Sequence, residues 1–201
     1  MIRRARLLSV LIALAAGAVG TISSTQTWIH VVLGDGASAD VAVAGADAVP
    51  VLAPLCLAVL ALGAALSIVG RILRLVFGAI TVAIAVLLFV LTLPVLTGPH
   101  VDAYAPAVTD TTGITGDSAV ATLVVSATVT AWPAVSLLVA VVLALVGVFV
   151  LVTGYGWATG GRKYDTAARR AALPADAPLD AIDSWDDLSR GTDPTTPEPP
   201  R

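Results

Sequence analysis

The sequence predicts an all-α membrane protein: a bundle of four transmembrane helices with a small extracytoplasmic β element and a disordered cytoplasmic tail. Three observations carry this expectation. Of 201 residues, 57% are hydrophobic and only 12% are charged, about half of the ~25% that keeps a soluble surface wet. The apolar residues fall in long runs free of Asp, Glu, Lys, Arg and His, as bilayer spans do. All 11 basic residues lie on one side of those runs.

The first run covers about Leu7 to Ser24, the second Val51 to Gly70, the third Leu75 to Leu96 and the fourth Trp132 to Thr153. Each is close to the ~20 residues a helix needs to cross ~30 Å of hydrocarbon. Barrel strands alternate over ~10 residues, which excludes them here. Pro54 and Pro94 fall near span ends, where a kink is tolerable. The transmembrane domain is thus 1–159 and the tail 160–201. An alternative is a cleavable signal peptide, with Arg3 to Arg6 followed by an apolar stretch and the small residues Ala16, Gly17 and Ala18. The run continues to Ile22, longer than the usual apolar core of a signal, and favours retention.

Direction follows from charge. Arg3, Arg4 and Arg6 precede span one, Arg71 and Arg74 sit in the turn between spans two and three, and the other six basic residues follow span four. The positive-inside bias places both termini and that turn in the cytoplasm. The chain is therefore expected to be multi-pass in the cell (plasma) membrane.

The first outward loop sets Thr27–Leu33 against Asp40–Gly45 across a Gly34-Asp35-Gly36 turn signal, which predicts a hairpin. The second opens with an irregular stretch from Thr97 to Gly116 and closes with the β-branched run Thr122–Thr130. A two-stranded hairpin is marginal alone, so that run is expected as a third strand; the alternative is that Leu123–Val129 prolongs span four. Trp28, Trp132 and Trp157 flank spans one and four, and are expected as interfacial anchors rather than ligand-stacking rings. Pro133 suits the first turn of a helix.

Chemistry finds little support. No span contains an acidic or basic side chain, which argues against ion-coupled transport and intramembrane hydrolysis. His30 and His100 lie outward among Asp35, Asp40, Asp47, Asp102, Asp110 and Asp117, without metal-ligand spacing. No phosphate loop, nucleophile–base pair or basic–aromatic patch is present. The expectation is no enzyme, no cofactor, no metal and no nucleic-acid partner. Cys56 is the single cysteine, so no intrachain disulfide exists. Ser9, Thr21, Ser67, Thr81, Thr92 and Ser136 can each bond their own helix backbone. The small-residue pairs Ala13/Gly17, Ala16/Gly20 and Ala140/Ala144 read as close helix packing.

The tail is charged and Pro-rich, hence mostly disordered. Arg162 and Lys163 suit anionic headgroups. Leu179, Ile182, Trp185 and Leu188 recur every three residues, which allows a short helix at 178–189 with a partner-docking face. Its aspartates make adsorption to an anionic leaflet unfavourable.

These residues resemble the Trp biosynthesis-associated (tryptophan operon region) membrane protein family of high-GC Gram-positive bacteria. The likeness rests on the Arg-rich start before span one, on Gln26-Thr27-Trp28 after it, on Val43 to Pro50, and on Thr130-Ala131-Trp132-Pro133. In the tail it rests on Arg162, Tyr164 and Asp165, then Trp185, Asp186, Gly191, Asp193 and Pro194 within a longer match. Ala134 stands where the family commonly has a second aromatic. The resemblance implies that span one is retained and carries over no catalytic residue. The function expected is a non-enzymatic membrane protein in contact with the lipid bilayer, its tail docking a cytoplasmic protein partner linked to tryptophan biosynthesis. The alternative is uncoupled permeation or sensing of a small aromatic metabolite.

Overall fold

A computed structural model describes residues 2–34, 40–98 and 100–154. The tail, its expected helix and family motif, Trp157 and the Gly-Asp-Gly turn beyond Gly34 lie outside the described residues.

Among the described residues, three helices are long and apolar enough to cross a membrane: α1 (Ile2–Thr25), α4 (Arg71–Thr97) and α7 (Trp132–Thr153). They coincide with spans one, three and four. Span two is shorter than expected, since α3 (Leu52–Leu66) has 15 residues and is about 22 Å long. The break is local. Ser67 Oγ donates to Ala64 O at 2.6 Å, and the Ser67 and Ile68 N–H groups donate to Ala64 O and Ala65 O, tightening the final turn. Gly70 then adopts an extended conformation and starts α4. Arg71 and Arg74 therefore belong to the first turn of α4, not to the connecting turn. Arg74, one residue before the expected span three, is buried in that helix.

Glycines set the helix approaches. A Cβ at Gly20 would lie 2.5 Å from Cys56 Sγ, and one at Gly63 3.2 Å from Leu14 Cδ2, so α1 and α3 pack antiparallel at close range. A Cβ at Gly147 would lie 2.6 Å from Val82 Cγ2, and one at Gly78 3.1 Å from Val150 Cγ1, which brings α4 against α7. Ala13, Ala16 and Ala140 are also buried, Ala13 beside Gly63. Small side chains permit such approach without voids.

The three-stranded sheet has the order β2-β1-β3, all antiparallel. β1 (Thr27–Leu33) follows α1 after one residue, β2 (Asp40–Ala44) returns beside it, and β3 (Val124–Val129) is the expected third strand. Leu123–Val129 therefore does not prolong span four. Register follows burial: Ile29, Val31, Leu33, Val41 and Val43 point inward, whereas His30, Val32, Asp40 and Ala42 do not. Pairing passes from Val32↔Ser126 to Leu33↔Val124, which leaves Val125 as a bulge.

The stretch expected to be irregular, Thr97 to Gly116, is partly helical: after a 3-10 turn at Val101–Ala103 it forms α5 (Ala105–Thr112), and α6 (Asp117–Leu123) follows it. Pro106 stands in the first turn of α5 and Gly113 closes it at φ 73°, so residues that resemble loop formers act as helix boundaries. A single-turn α2 (Gly45–Ala48) links β2 to α3. Val108 and Val120 are fully buried and join Trp28, Ile29, Leu52 and Leu143 in one core that runs from the sheet into the bundle. A second cluster (Val10, Ala13, Leu66, Val146 and Val150) fills the opposite end.

Candidate functional site

Among the described residues, a set of buried polar contacts lies where the sheet meets the helices. Trp28 is fully buried at the start of β1, and its indole N–H donates to Ser23 O at 2.9 Å, with Ser23 Oγ at 3.2 Å. Ser136 Oγ of α7 donates to Ser23 Oγ at 2.9 Å. The Thr130 N–H donates to Trp28 O and its hydroxyl to Thr27 O, both at 2.8 Å, while the Trp132 N–H donates to Thr130 Oγ1 at 3.3 Å. From the other side, the Gly45 N–H donates to Gln26 O at 3.0 Å and the Ala44 N–H to Asp47 Oδ2 at 3.3 Å. A Cβ at Gly45 would lie 2.6 Å from the Trp28 ring, so only glycine fits beneath the indole.

This junction explains three of the sequence motifs. Gln26-Thr27-Trp28, the Val43 to Pro50 stretch and Thr130-Ala131-Trp132-Pro133 are distant in sequence and meet here. In an apolar setting each buried polar group needs a partner, and these supply one another's. Trp28 is thus a packed, hydrogen-bonded core residue whose ring contacts protein; Trp132 is half-buried beside it. Sequence reasoning missed Ser23 altogether. Only its pairing with Ser136, 113 residues away, gives it meaning.

The remaining expected residues separate. His30 Nδ1 lies 3.5 Å from Asp40 Oδ2, with the two side chains 44% and 63% exposed, whereas His100 lies apart and exposed. Among the described residues no group of three His, Cys, Asp or Glu could hold a metal. Thr21 and Thr81 bond the carbonyls four residues back, as expected, and Ser67 the one three back. Ser136 instead bonds across helices, and the buried Thr92 hydroxyl has no hydrogen-bond partner among the described residues.

Two further features lie outside the motifs. Arg74 is fully buried at the end away from the sheet, where its Nη1 donates to Gly154 O at 3.1 Å and its Nη2 to Val69 O at 3.2 Å. A groove of about 270 Å³ between α4 and α7 is lined by Ala85, Val86, Phe89, Ala140, Val141, Ala144, Leu145 and Val148. Every lining residue is apolar, so the groove can bury hydrocarbon and can orient no polar group. What the junction does is hold the sheet to the bundle; its hydroxyls are engaged in mutual bonds.

Residues 10–195 match the family model described as tryptophan-associated transmembrane protein. No curated protein and no solved structure matches the chain. The match covers most of the sequence, and the chain belongs to that transmembrane family.

Proposed function

We propose that this tryptophan-associated transmembrane protein is a non-enzymatic, multi-pass anchor whose tail docks a cytoplasmic protein partner at the membrane. The observation that carries this reading is the closed packing of the helices. At Gly20, Gly63, Gly78 and Gly147 even a methyl group would press on the facing helix, which suits a rigid base better than a conduit. The tail holds the chain's Trp185 and Leu188 beside aspartates, a composition suited to a protein groove.

The anchor spans the bilayer four times in this reading. The first turn of α3 adjoins the end of α1 near the sheet, and Leu66 packs with Val10 near the other end. Residues Leu52–Leu66 together with the turn to Gly70 therefore traverse the same slab as Leu7–Ser24 of α1, about 27 Å thick. Such a slab matches ~30 Å of hydrocarbon after slight thinning. The basic residues at the N-terminus, at Arg71 and Arg74, and throughout the tail assign that end to the cytoplasm.

Deleting the chain after Tyr164 is expected to abolish the cellular phenotype of the gene while the bundle still inserts. Trp185→Ala with Leu188→Ala should remove the partner captured by crosslinking in cells. A harmless deletion would overturn the docking reading. It would favour passage of a small aromatic metabolite if bulky substitutions at Gly17 or Gly20 were then damaging.

A further inference from the structure

α3 and α7 both run antiparallel to α1, so their carbonyl ends converge at the same end of the bundle. Such ends carry partial negative charge and acceptors that the helix itself leaves unfilled. Arg74 projects its guanidinium between them. One arm reaches Val69 O just beyond α3 and the other Gly154 O just beyond α7, with the side chain fully buried. Gly154 accommodates this, since a Cβ there would lie 3.2 Å from Arg74 Cδ.

In the first turn of its own helix a cation opposes the helix dipole. A charge serving orientation alone would also lie at the surface, as the exposed Arg71 does one turn earlier. Burying a guanidinium is costly unless its donors are used, and a planar fork reaches two carbonyls where an ammonium is a point charge. We propose that Arg74 is the positioning residue for the cytoplasmic tail: it ties the place where the chain leaves α7 to the α3–α4 turn. This rests on the reading of the tail as the docking segment.

The test uses the full chain reconstituted in lipid vesicles, with paired spin labels read by pulsed dipolar spectroscopy. Ile68→Cys and Val152→Cys, 88% and 76% exposed, report on the Arg74 end, and Val51→Cys with Val125→Cys reports on the sheet end. Cys56 is buried and takes no label. With Arg74 present both pairs are expected to give single narrow distances. In Arg74→Met the narrow distance at the Arg74 end should be lost while that at the sheet end persists, and Arg74→Lys should fall between. An unchanged distance in Arg74→Met overturns the proposal, and so does loss at both ends together, which would make Arg74 a general fold residue. Should Arg74→Met fail to insert, Arg74→Lys decides by the same two pairs: broadening at the Arg74 end alone supports the tie, and any other pattern overturns it. The distances require no partner, so they are read separately from the effect of deleting the tail.

Discussion

Gly147 marks a close approach of α4 and α7, and Gly147→Ala puts a number on it. The new Cβ would sit 2.6 Å from Val82 Cγ2, with Gly78 O and Val82 N both at 3.1 Å behind it. Val82 is β-branched on a helix and strongly prefers one rotamer, so it cannot swing aside; the backbone atoms cannot yield without moving the helix. Overpacking of this kind costs about 1–3 kcal/mol. Alanine in place of a helical glycine returns up to about 1 kcal/mol. The expected net loss is about 1–2 kcal/mol, seen as a Tm lower by several degrees. Thermal unfolding of the detergent-solubilised protein, followed by far-UV circular dichroism, measures it. Val82→Ala opens the space the methyl needs, so the double mutant should recover about 1 kcal/mol relative to the sum of the singles. Should Gly147→Ala unfold at or above the wild-type temperature, or should the two changes prove additive, the close-approach argument is wrong.

Trp28→Phe removes the N–H that serves Ser23 and leaves a void; a loss of about 2–4 kcal/mol in the same melt is expected, larger than for Ser136→Ala. Thr92→Val replaces a buried hydroxyl lacking a partner among the described residues, and should raise stability by about 1 kcal/mol. His30→Ala and Asp40→Ala, at a half-exposed pair, should each stay within about 0.5 kcal/mol of wild type. Added zinc should leave the Tm of all three unchanged; a zinc-dependent rise that His30→Ala abolishes would restore the metal-site idea.

The helices near spans one, three and four were legible because the cost of placing a residue in hydrocarbon is local: each side chain is charged for its own polarity. The three strands were legible for a similar reason, through β-branched runs and the weakness of a lone hairpin. What escaped were features decided by partners far along the chain. Trp28 has the composition of an interfacial anchor, and only Ser23 and Gly45 turn it into a core residue. Arg74 looks like a turn cation until α7 ends beside it. Pro106 and Gly113 punctuate loops and helix ends alike, so α5 was hidden among residues that spell disorder equally well. Ser67 and Gly70 are weak signals in an apolar run, and they shortened α3 by enough to obscure it as a span.

The position of β3 has a consequence for synthesis. The partners that complete the sheet and seat the indole, Thr130 and Ser136, lie 103 and 113 residues after the groups they bind. Until α7 has emerged from the ribosome, β1 and β2 lack their β3 neighbour and Ser23 lacks its Ser136 partner. Closure of that cap therefore waits for residues 124–136, and a chain that stopped before residue 124 would leave the β1 edge without its β3 partner.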